Sequence, residues 1–508
     1  MFKKLLSVGG FTLLSRITGF ARDITMAVIL GHGGLSDAFI VAFLFPNYFR
    51  AIFGEGTINP AFLPRYAALH AKGEKADAAA FANQIFSWQM AVQAGLLLFA
   101  LAAMPLIVKL LAPGWTSDQL AMTADLARIT FPYLILTVVA VQLSAMLNSI
   151  EKFWAAAAWS NFLNLSIIGC LLAVHYFPNA AYAAAWGVLI AGVLQLVFMV
   201  WASGRDGIGL KIVRPRWTPQ VKEFFIAFGV VTFGAVSVVV APLIDTLLAS
   251  YLVDGSRTAL YYADRINQLP LGVLGIALGT VLLPEMSALL AKGKRSESDA
   301  AQNRSAVMVL LLTLPFAAVF LAIPGTIMRA FFAWGNFSTD AANLAGAALA
   351  AYGIGLPAMA MVRIVGSTFY ARHDTATPAR ATVIAIVCNI LLKIALVWSA
   401  GLGLVGLALG TSLGAWINVA ALTWYGHSRD LLAIEKAFVM AMPPVLLAAA
   451  VTGVGAWFGA AYGAQMLPGR YADLAALSGA MLCGGIGFVA VVAVFRGRLP
   501  LGRLSRKA

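Results

Sequence analysis

The sequence predicts an all-α integral membrane protein with fourteen transmembrane helices, arranged as two parallel six-helix lobes around a central cavity and followed by two C-terminal helices. The composition, the recurring apolar segments and an internal repeat support this fold class. Of the 508 residues, 61% are hydrophobic and 11% are charged, whereas soluble globular proteins carry about 25% charged residues. We therefore expect most of the chain to lie in lipid.

Apolar segments recur along the whole chain, separated by short stretches rich in turn-forming and charged residues. An apolar segment of about 20 residues is long enough to cross a hydrocarbon layer about 30 Å thick. The predicted spans are 5–30, 35–54, 79–111, 120–148, 154–176, 181–202, 222–251, 257–290, 304–332, 341–371, 378–400, 403–426, 437–463 and 472–495. Because Arg16, Arg22 and Asp23 interrupt the first apolar segment, we interpret it as an uncleaved helix and not as a signal peptide.

The basic residues predict the orientation. Most of the 35 Lys and Arg residues fall in connecting segments on one side of the predicted spans, and such segments are usually cytoplasmic. We therefore expect both termini to lie in the cytoplasm. The net charge of +14 follows from this topology, so we expect no nucleic-acid partner.

An internal repeat predicts two related halves. Segments 63–73 and 283–293 share Leu-Pro, Ala-Leu and Ala-Lys-Gly at an offset of 220 residues, and Arg205-Asp206 matches Arg429-Asp430 at a slightly longer offset. Since six helices is an even number, the second half re-enters the membrane in the same orientation as the first. The predicted domains are an N-lobe (1–203), a cytoplasmic linker (204–221), a C-lobe (222–428), and a final helix pair with a basic tail (429–508).

Charged residues inside the predicted spans are candidates for function. An arginine facing lipid at the bilayer centre costs about 2.5–3.5 kcal/mol even on the lenient insertion scale. These side chains must therefore face water, a ligand or one another, so a hydrated cavity and neutralising Arg–Asp pairs inside the bundle both stay open. The charged residues are Arg16, Arg22, Asp23, Asp37, Arg50, Glu55, Asp245, Asp264, Arg265, Arg363 and Lys393.

The excess of arginine favours an anionic cargo. A guanidinium binds phosphate through two parallel hydrogen bonds and does not lose its charge. A cavity lined by such groups suits a pyrophosphate and rejects organic cations. Asp245 and Lys393 with Asn389 stand apart from this set. A structural Asp245–Lys393 pair and a site for a coupling cation or proton are both compatible with the sequence.

Several motifs in combination resemble the MurJ (MviN) lipid II flippases of the MOP exporter superfamily. These motifs are Ser15-Arg16-Ile17-Thr18-Gly19-Phe20-Ala21-Arg22-Asp23, Asp37-Ala38-Phe39, Pro46-Asn47, Glu55-Gly56 and Tyr261-Tyr262-Ala263-Asp264-Arg265. The resemblance implies that lipid II moves from the inner to the outer leaflet by alternating access between the two lobes. It also implies that the last two helices form a groove for the polyprenyl tail.

The resemblance implies roles for individual residues. Arg16, Arg22, Arg50 and Arg265 correspond to the family's pyrophosphate-binding arginines, and Asp37 corresponds to its essential acid. The supporting cavity charges are then Asp23, Asp37, Glu55, Asp264 and Arg363. Where some relatives have two consecutive arginines, this chain has Arg50-Ala51. Lys393 lies near the place where some members have an acid for sodium coordination, which argues against sodium coupling.

No enzyme site is predicted, because the sequence has no Walker loop and no Cys/His cluster with metal-binding spacing. We expect no cofactor. The membrane potential is the expected energy source, with a monovalent cation or proton as an open alternative. The expected partners are lipid II and membrane lipids, with the chain acting as a monomer near other cell-wall synthesis proteins. The alternative functions are a flippase for another undecaprenyl-pyrophosphate saccharide and a multidrug exporter.

Overall fold

The computed structural model describes residues 2–50, 58–279 and 282–500, and in these ranges all regular elements are helices. The helices of the first half are α1 (Phe2–Leu30), α2 (Gly34–Arg50), α3 (Ile58–Ala71), α4 (Lys75–Leu111), α5 (Ser117–Thr130), α6 (Tyr133–Ser149), α7 (Phe153–Ala158), α8 (Asn161–Leu172), α9 (Ala180–Gly204) and α10 (Pro219–Ala249). The later helices are α11 (Ser256–Gly279), α12 (Leu282–Ala291), α13 (Arg295–Ala322), α14 (Pro324–Phe332), α15 (Thr339–Tyr370), α16 (Ala376–Ile394), α17 (Gly403–Ser428), α18 (Lys436–Met466) and α19 (Ala472–Val494).

Ten helical segments in the described ranges are long and apolar enough to cross a membrane. The prediction of an all-helical membrane protein is thereby confirmed, while the count of fourteen spans stays a prediction. The predicted spans outside these ten are 5–30, 35–54, 222–251 and 257–290. Each of these four contains at least one of the candidate charged residues.

Several predicted spans are interrupted helices. The span 120–148 consists of α5 and α6, which meet at Pro132, and 304–332 consists of α13 and α14, which meet at Pro324. A proline has no backbone N–H and clashes with the preceding turn, so a helix commonly ends before it. The apolar character continues across each break, which is why hydropathy alone predicted single helices. Helix α3 was not predicted at all.

The repeat found in the sequence recurs in the backbone. Gly73 and Gly293 both have positive φ angles, of 80° and 69°, and each lies just before the helix that follows, α4 or α13. Glu151 and His373 both have φ of 61°, a conformation that few residues other than glycine adopt. The two halves therefore share specific turn geometry at nearly the offset that the sequence repeat predicted.

The chain divides into two compact units by its internal contacts. The first contains the residues up to Thr258 together with Gly335–Phe337, and the second contains Ala259–Trp334 and the residues from Ser338 onward. Helix α10 belongs to the first unit, where it packs against α3 and α4, although the sequence assigned it to the C-lobe. The predicted lobe boundaries stay a prediction.

Two polar contacts explain why Gly335–Phe337 and the linker before α10 belong to the first unit. Asn336 lies in this unit because its backbone N–H donates to the carbonyl of Val28 at 2.9 Å and its side chain donates to the carbonyl of Ile29 at 2.8 Å. The linker before α10 is held along α4, since the backbone N–H of Lys211 donates to Asn83 at 2.8 Å. Both contacts satisfy helix-end or loop groups that would otherwise be left without partners.

In the second unit, α18 and α19 form a closely packed pair. A Cβ atom added at Gly459 would lie 2.2 Å from the carbonyl oxygen of Gly479, so only glycine permits this approach. Arg329 of α14 forms an ion pair of 2.9 Å with Asp473 of α19. The C-terminal pair is thus fixed to the rest of its unit by packing and by charge.

Candidate functional site

Arg22 and Asp23 form a buried ion pair on α1. The side chains are adjacent in sequence, and Nε and Nη2 of Arg22 donate to Oδ1 of Asp23 at 3.1 and 2.7 Å. Arg22 is only 6% exposed and Asp23 4%. Of the two arrangements that the sequence left open, the structure therefore shows Arg22 in an Arg–Asp pair and not facing open solvent.

Helix α8 supplies the other partner of Arg22. Oδ1 of Asn164 accepts a hydrogen bond from Nη1 of Arg22 at 3.1 Å, and the amide also lies against Gly19 of α1. Asn164 was not among the residues predicted from the sequence to form the site. The available signal was a pair of asparagines, Asn161 and Asn164, inside an otherwise apolar span, where an unpaired polar group is costly.

The other two candidate arginines of the first unit, Arg16 and Arg50, are more accessible. Arg16 of α1 is exposed, and Arg50, the last residue of α2, is half-buried with Nη2 donating to Asn47 at 2.9 Å. Glu55 lies outside the described residues. The guanidinium groups of Arg16 and Arg50 are thus better placed than that of Arg22 to meet an anion in this structure.

Asp37 joins the start of α2 to the start of α11. Its carboxylate accepts hydrogen bonds from the backbone N–H of Gly255 at 2.8 Å, and from the N–H and the hydroxyl of Thr258 at 2.7 and 2.6 Å. The N–H groups of a first helical turn lack intrahelical partners and favour a negative charge. The structure therefore places Asp37 as a buried cap on α11, apart from the Arg22–Asp23 pair.

His32 lies beside this cap, in the loop between α1 and α2. Its ring packs edge-on against Phe337 at a centroid distance of 5.8 Å and covers Gly255, where a Cβ would lie 2.0 Å from the ring. Burial lowers the pKa of His32, opposed by a backbone hydrogen bond with Gly255 and by the nearby charge of Asp254. The ring thus belongs to the packing around Asp37.

In the second unit, the predicted charges lie on α11 and α15. Arg265 stacks on Tyr261, one turn earlier on α11, with its Cζ 4.9 Å from the ring centroid and Nη2 3.2 Å from the hydroxyl. Asp264 accepts a hydrogen bond from Gln268, and Arg363 is exposed on α15. The stacking holds the Arg265 guanidinium in a defined plane while leaving it half-buried.

Asn389 and Lys393 lie one turn apart on α16, facing α17. Lys393 is fully buried, and its aliphatic chain fills the space that a side chain at Gly410 would occupy, since a Cβ added at Gly410 would lie 2.4 Å from Cγ of the lysine. Asn389 lies against Gly414 in the same way. A π-helical turn at Ala395–Ser399 follows directly. Asp245 is half-buried on α10 in the first unit, and its pairing with Lys393 stays a prediction.

Comparison with known proteins identifies the family. The family model described as lipid II flippase MurJ matches residues 26–475. A probable lipid II flippase MurJ of Rhizobium tropici is 38% identical over 462 residues, covering 89% of this chain and 86% of the relative. The chain belongs to the MurJ lipid II flippase family. A lipid II flippase MurJ of Burkholderia cenocepacia, at 31% identity over 430 residues, covers 82% of each chain.

A solved structure shows that the MurJ fold extends over nearly all of the chain. The structure of a lipid II flippase MurJ in an inward closed conformation matches with a TM-score of 0.80 at 22% identity, covering 96% of this chain and 99% of that chain. An inward-facing multidrug resistance MATE transporter of the MOP superfamily matches with a TM-score of 0.69 at 13% identity, covering 82% and 95%. The predicted resemblance to MurJ is confirmed, and the chain shares its fold with a transporter of the MOP superfamily.

Proposed function

We propose that this chain translocates lipid II from the inner to the outer leaflet of the bacterial inner membrane. The observation that carries this proposal is the match to the MurJ family over residues 26–475, with a relative of 38% identity spanning most of both chains. The intramembrane arginines give the physical reason, because a diphosphate is the one anionic group that lipid II offers at that depth. The family is one of transporters and not of enzymes.

The four predicted arginines divide into two kinds in this mechanism. Arg16, Arg50 and Arg265 are exposed or half-buried and supply guanidinium groups to the pyrophosphate. Arg22 is already bound to Asp23 and Asn164. In the proposed mechanism a phosphate oxygen replaces the Asp23 carboxylate at the Nε and Nη2 edge of Arg22, an exchange of one anion for another at the same cation.

The finer features of the mechanism are also proposals. The inside-negative potential assists outward movement of an anion by about 2.3 kcal/mol per charge per 100 mV. The buried ammonium of Lys393 supports a mechanism in which a tethered cation replaces a coupling ion, with a proton or monovalent cation at Asp245 as the alternative. The tail of the lipid lies along α18 and α19. The chain acts as a monomer with both termini in the cytoplasm.

Reconstitution tests the proposal directly. The purified chain in proteoliposomes should make inner-leaflet lipid II accessible from outside, and Arg16→Ala and Arg265→Ala should each reduce the rate at least tenfold. These two positions are chosen because neither side chain is buried, so little effect on the melting temperature is expected. Arg128→Ala, which removes an exposed arginine paired with Asp125 on α5, is the control and should retain the rate.

The same assay separates the alternative cargoes. An undecaprenyl-pyrophosphate carrying an O-antigen unit presents the same diphosphate, so its translocation at an equal or greater rate would contradict a specific role in lipid II transport. Unchanged lipid II translocation by both Arg16→Ala and Arg265→Ala would contradict the proposed binding role of these arginines.

A further inference from the structure

The side chain of Asn164, on α8, forms hydrogen bonds to α1 through both its amide nitrogen and its oxygen. The side chain is 5% exposed. Its Nδ2 donates to the carbonyl oxygen of Ser15 at 3.1 Å and to the hydroxyl oxygen of Thr18 at 3.0 Å, while its Oδ1 accepts from Nη1 of Arg22 at 3.1 Å. Both hydrogens of the amide group and its oxygen are therefore directed at three different residues of one neighbouring helix.

These contacts fix the orientation of the amide. An asparagine side chain can be rotated by 180° to exchange its oxygen and nitrogen, and the surrounding donors and acceptors decide between the two orientations. In the opposite orientation the amide NH₂ would face the guanidinium of Arg22, which offers only donors, and the oxygen would face the carbonyl of Ser15. The acceptors on α1 therefore direct Oδ1 toward Arg22.

Asp23 and Asn164 lie at different edges of the Arg22 guanidinium. Asp23 accepts hydrogen bonds from Nε and Nη2 at one edge, and Asn164 accepts a hydrogen bond from Nη1. Asp23 carries a charge that a phosphate can replace, whereas Asn164 is neutral and is held by the backbone of α1. When Asp23 is displaced, the contact with Asn164 keeps the guanidinium plane in place.

We propose that Asn164 is a positioning residue for substrate, which holds the Arg22 guanidinium so that its Nε and Nη2 edge meets the diphosphate in the geometry of a bidentate pair. This inference rests on the proposed function. A rigid guanidinium loses less side-chain entropy on binding than a free one, so the expected contribution is to affinity. Asn164 itself does not need to contact the lipid.

The chain offers a matched control on the same helix. Asn161 is 7% exposed, accepts a hydrogen bond from Thr18 at 3.3 Å and donates to the carbonyl of Ala158 at 3.0 Å. It therefore shares with Asn164 the residue type, the burial and the contact with Thr18 of α1. Its hydrogen bonds go to these two residues and not to Arg22.

The experiment compares lipid II affinity and thermal stability for the purified full chain in nanodiscs. Asn164→Ala should weaken lipid II binding about tenfold, a change that corresponds to about 1.4 kcal/mol, whereas Asn161→Ala should change it less than twofold. Both variants should lower the melting temperature to a similar extent. Asn164→Asp, which keeps the shape of the side chain, should weaken binding more than Asn164→Ala, because its carboxylate competes with the diphosphate for Arg22.

A second background tests whether Asn164 acts through Arg22. In a chain with Arg22→Ala and Asp23→Ala, which removes the pair without leaving a buried unpaired charge, the remaining arginines should give weak but measurable binding. Adding Asn164→Ala to this background should cause no further loss, as expected for residues that act as a unit.

The outcomes distinguish the inference from the function on which it rests. Absence of lipid II binding by the unsubstituted chain would overturn both. Binding by the unsubstituted chain, with equal losses in Asn164→Ala and Asn161→Ala, would overturn the positioning role alone and leave packing as the function of Asn164. A further loss from Asn164→Ala in the background without the pair would overturn it as well.

Discussion

Arg22 shows how a single residue is accommodated in a membrane helix. An arginine at the bilayer centre is costly when it faces lipid, and this cost is offset here by a carboxylate one residue away and an amide from α8. The sequence correctly indicated that the charge needs a partner. It did not indicate Asn164, since the two residues are 142 positions apart and no local pattern links them.

Asp37 is a second residue whose role depends on distant partners, and it gives a prediction of stability. Asp37→Ala removes the acceptor of three hydrogen bonds at Gly255 and Thr258. A hydrogen bond to a charged group contributes about 1.5–3 kcal/mol, so we expect a loss of about 3 kcal/mol or more in the free energy of unfolding. The measurement is the shift in melting temperature in detergent, with Asp37→Asn expected to fall between Asp37→Ala and the unsubstituted chain.

Asp118 provides the control for this prediction. It is an exposed aspartate in the first turn of α5, so Asp118→Ala should change the melting temperature little. Equal shifts for Asp37→Ala and Asp118→Ala would show that the three hydrogen bonds at the start of α11 contribute nothing specific.

At the scale of elements, the contact between α16 and α17 depends on glycine opposite a large side chain. Lys393 is fully buried, and Asn389 one turn earlier lies against Gly414 as Lys393 lies against Gly410. Small residues let membrane helices approach closely. The pairing of large and small residues therefore fixes both the separation of the two helices and the position of the lysine.

We expect Gly410→Ala to disturb this contact. The added Cβ would lie 2.4 Å from Cγ of Lys393 and 3.2 Å from its backbone nitrogen, so the lysine or the helix must move. Overpacking of this kind usually costs about 1–3 kcal/mol. The melting temperature of the purified variant measures the effect.

A glycine in open surroundings supplies the comparison. Gly95 lies within α4, and a Cβ there would meet nothing within 4 Å. Gly95→Ala should be neutral or slightly stabilising, because alanine has the higher helix propensity. The packing explanation is wrong if Gly410→Ala is as well tolerated as Gly95→Ala.

At the scale of the whole molecule, the repeat and the distribution of charge predict the orientation. Turns of matching geometry recur in the two halves, as expected for two units that enter the membrane in the same direction. The basic residues of the connecting segments predict that both termini lie on the cytoplasmic side.

Reporter fusions test this orientation. A fluorescent protein fused after the last residue should be fluorescent, and alkaline phosphatase fused there should be inactive, because the first folds in the cytoplasm and the second outside it. Alkaline phosphatase inserted at Gly401-Leu402, between α16 and α17, should be active, and the fluorescent protein there should not. Active phosphatase at the C-terminus would reverse the predicted topology.

Prediction from the sequence succeeded where the signal is local or periodic. Long apolar segments predicted the membrane helices, the offset between segments 63–73 and 283–293 predicted two related halves, and the combined motifs predicted the MurJ family. The prediction of one continuous helix through Pro132, and of another through Pro324, was wrong. Hydropathy is averaged over many residues and does not register the break that a single proline introduces.

The sequence by itself therefore determined that this protein lies in a membrane, that its two halves are related and that arginines and acids both occur within its predicted spans. Only the tertiary structure decided which charges are paired: Arg22 with Asp23 and Asn164, and Asp37 with the first turn of α11. The physical reason is that hydropathy and charge are properties of each residue along the chain. The partner that satisfies a buried polar group is set by packing between helices distant in sequence.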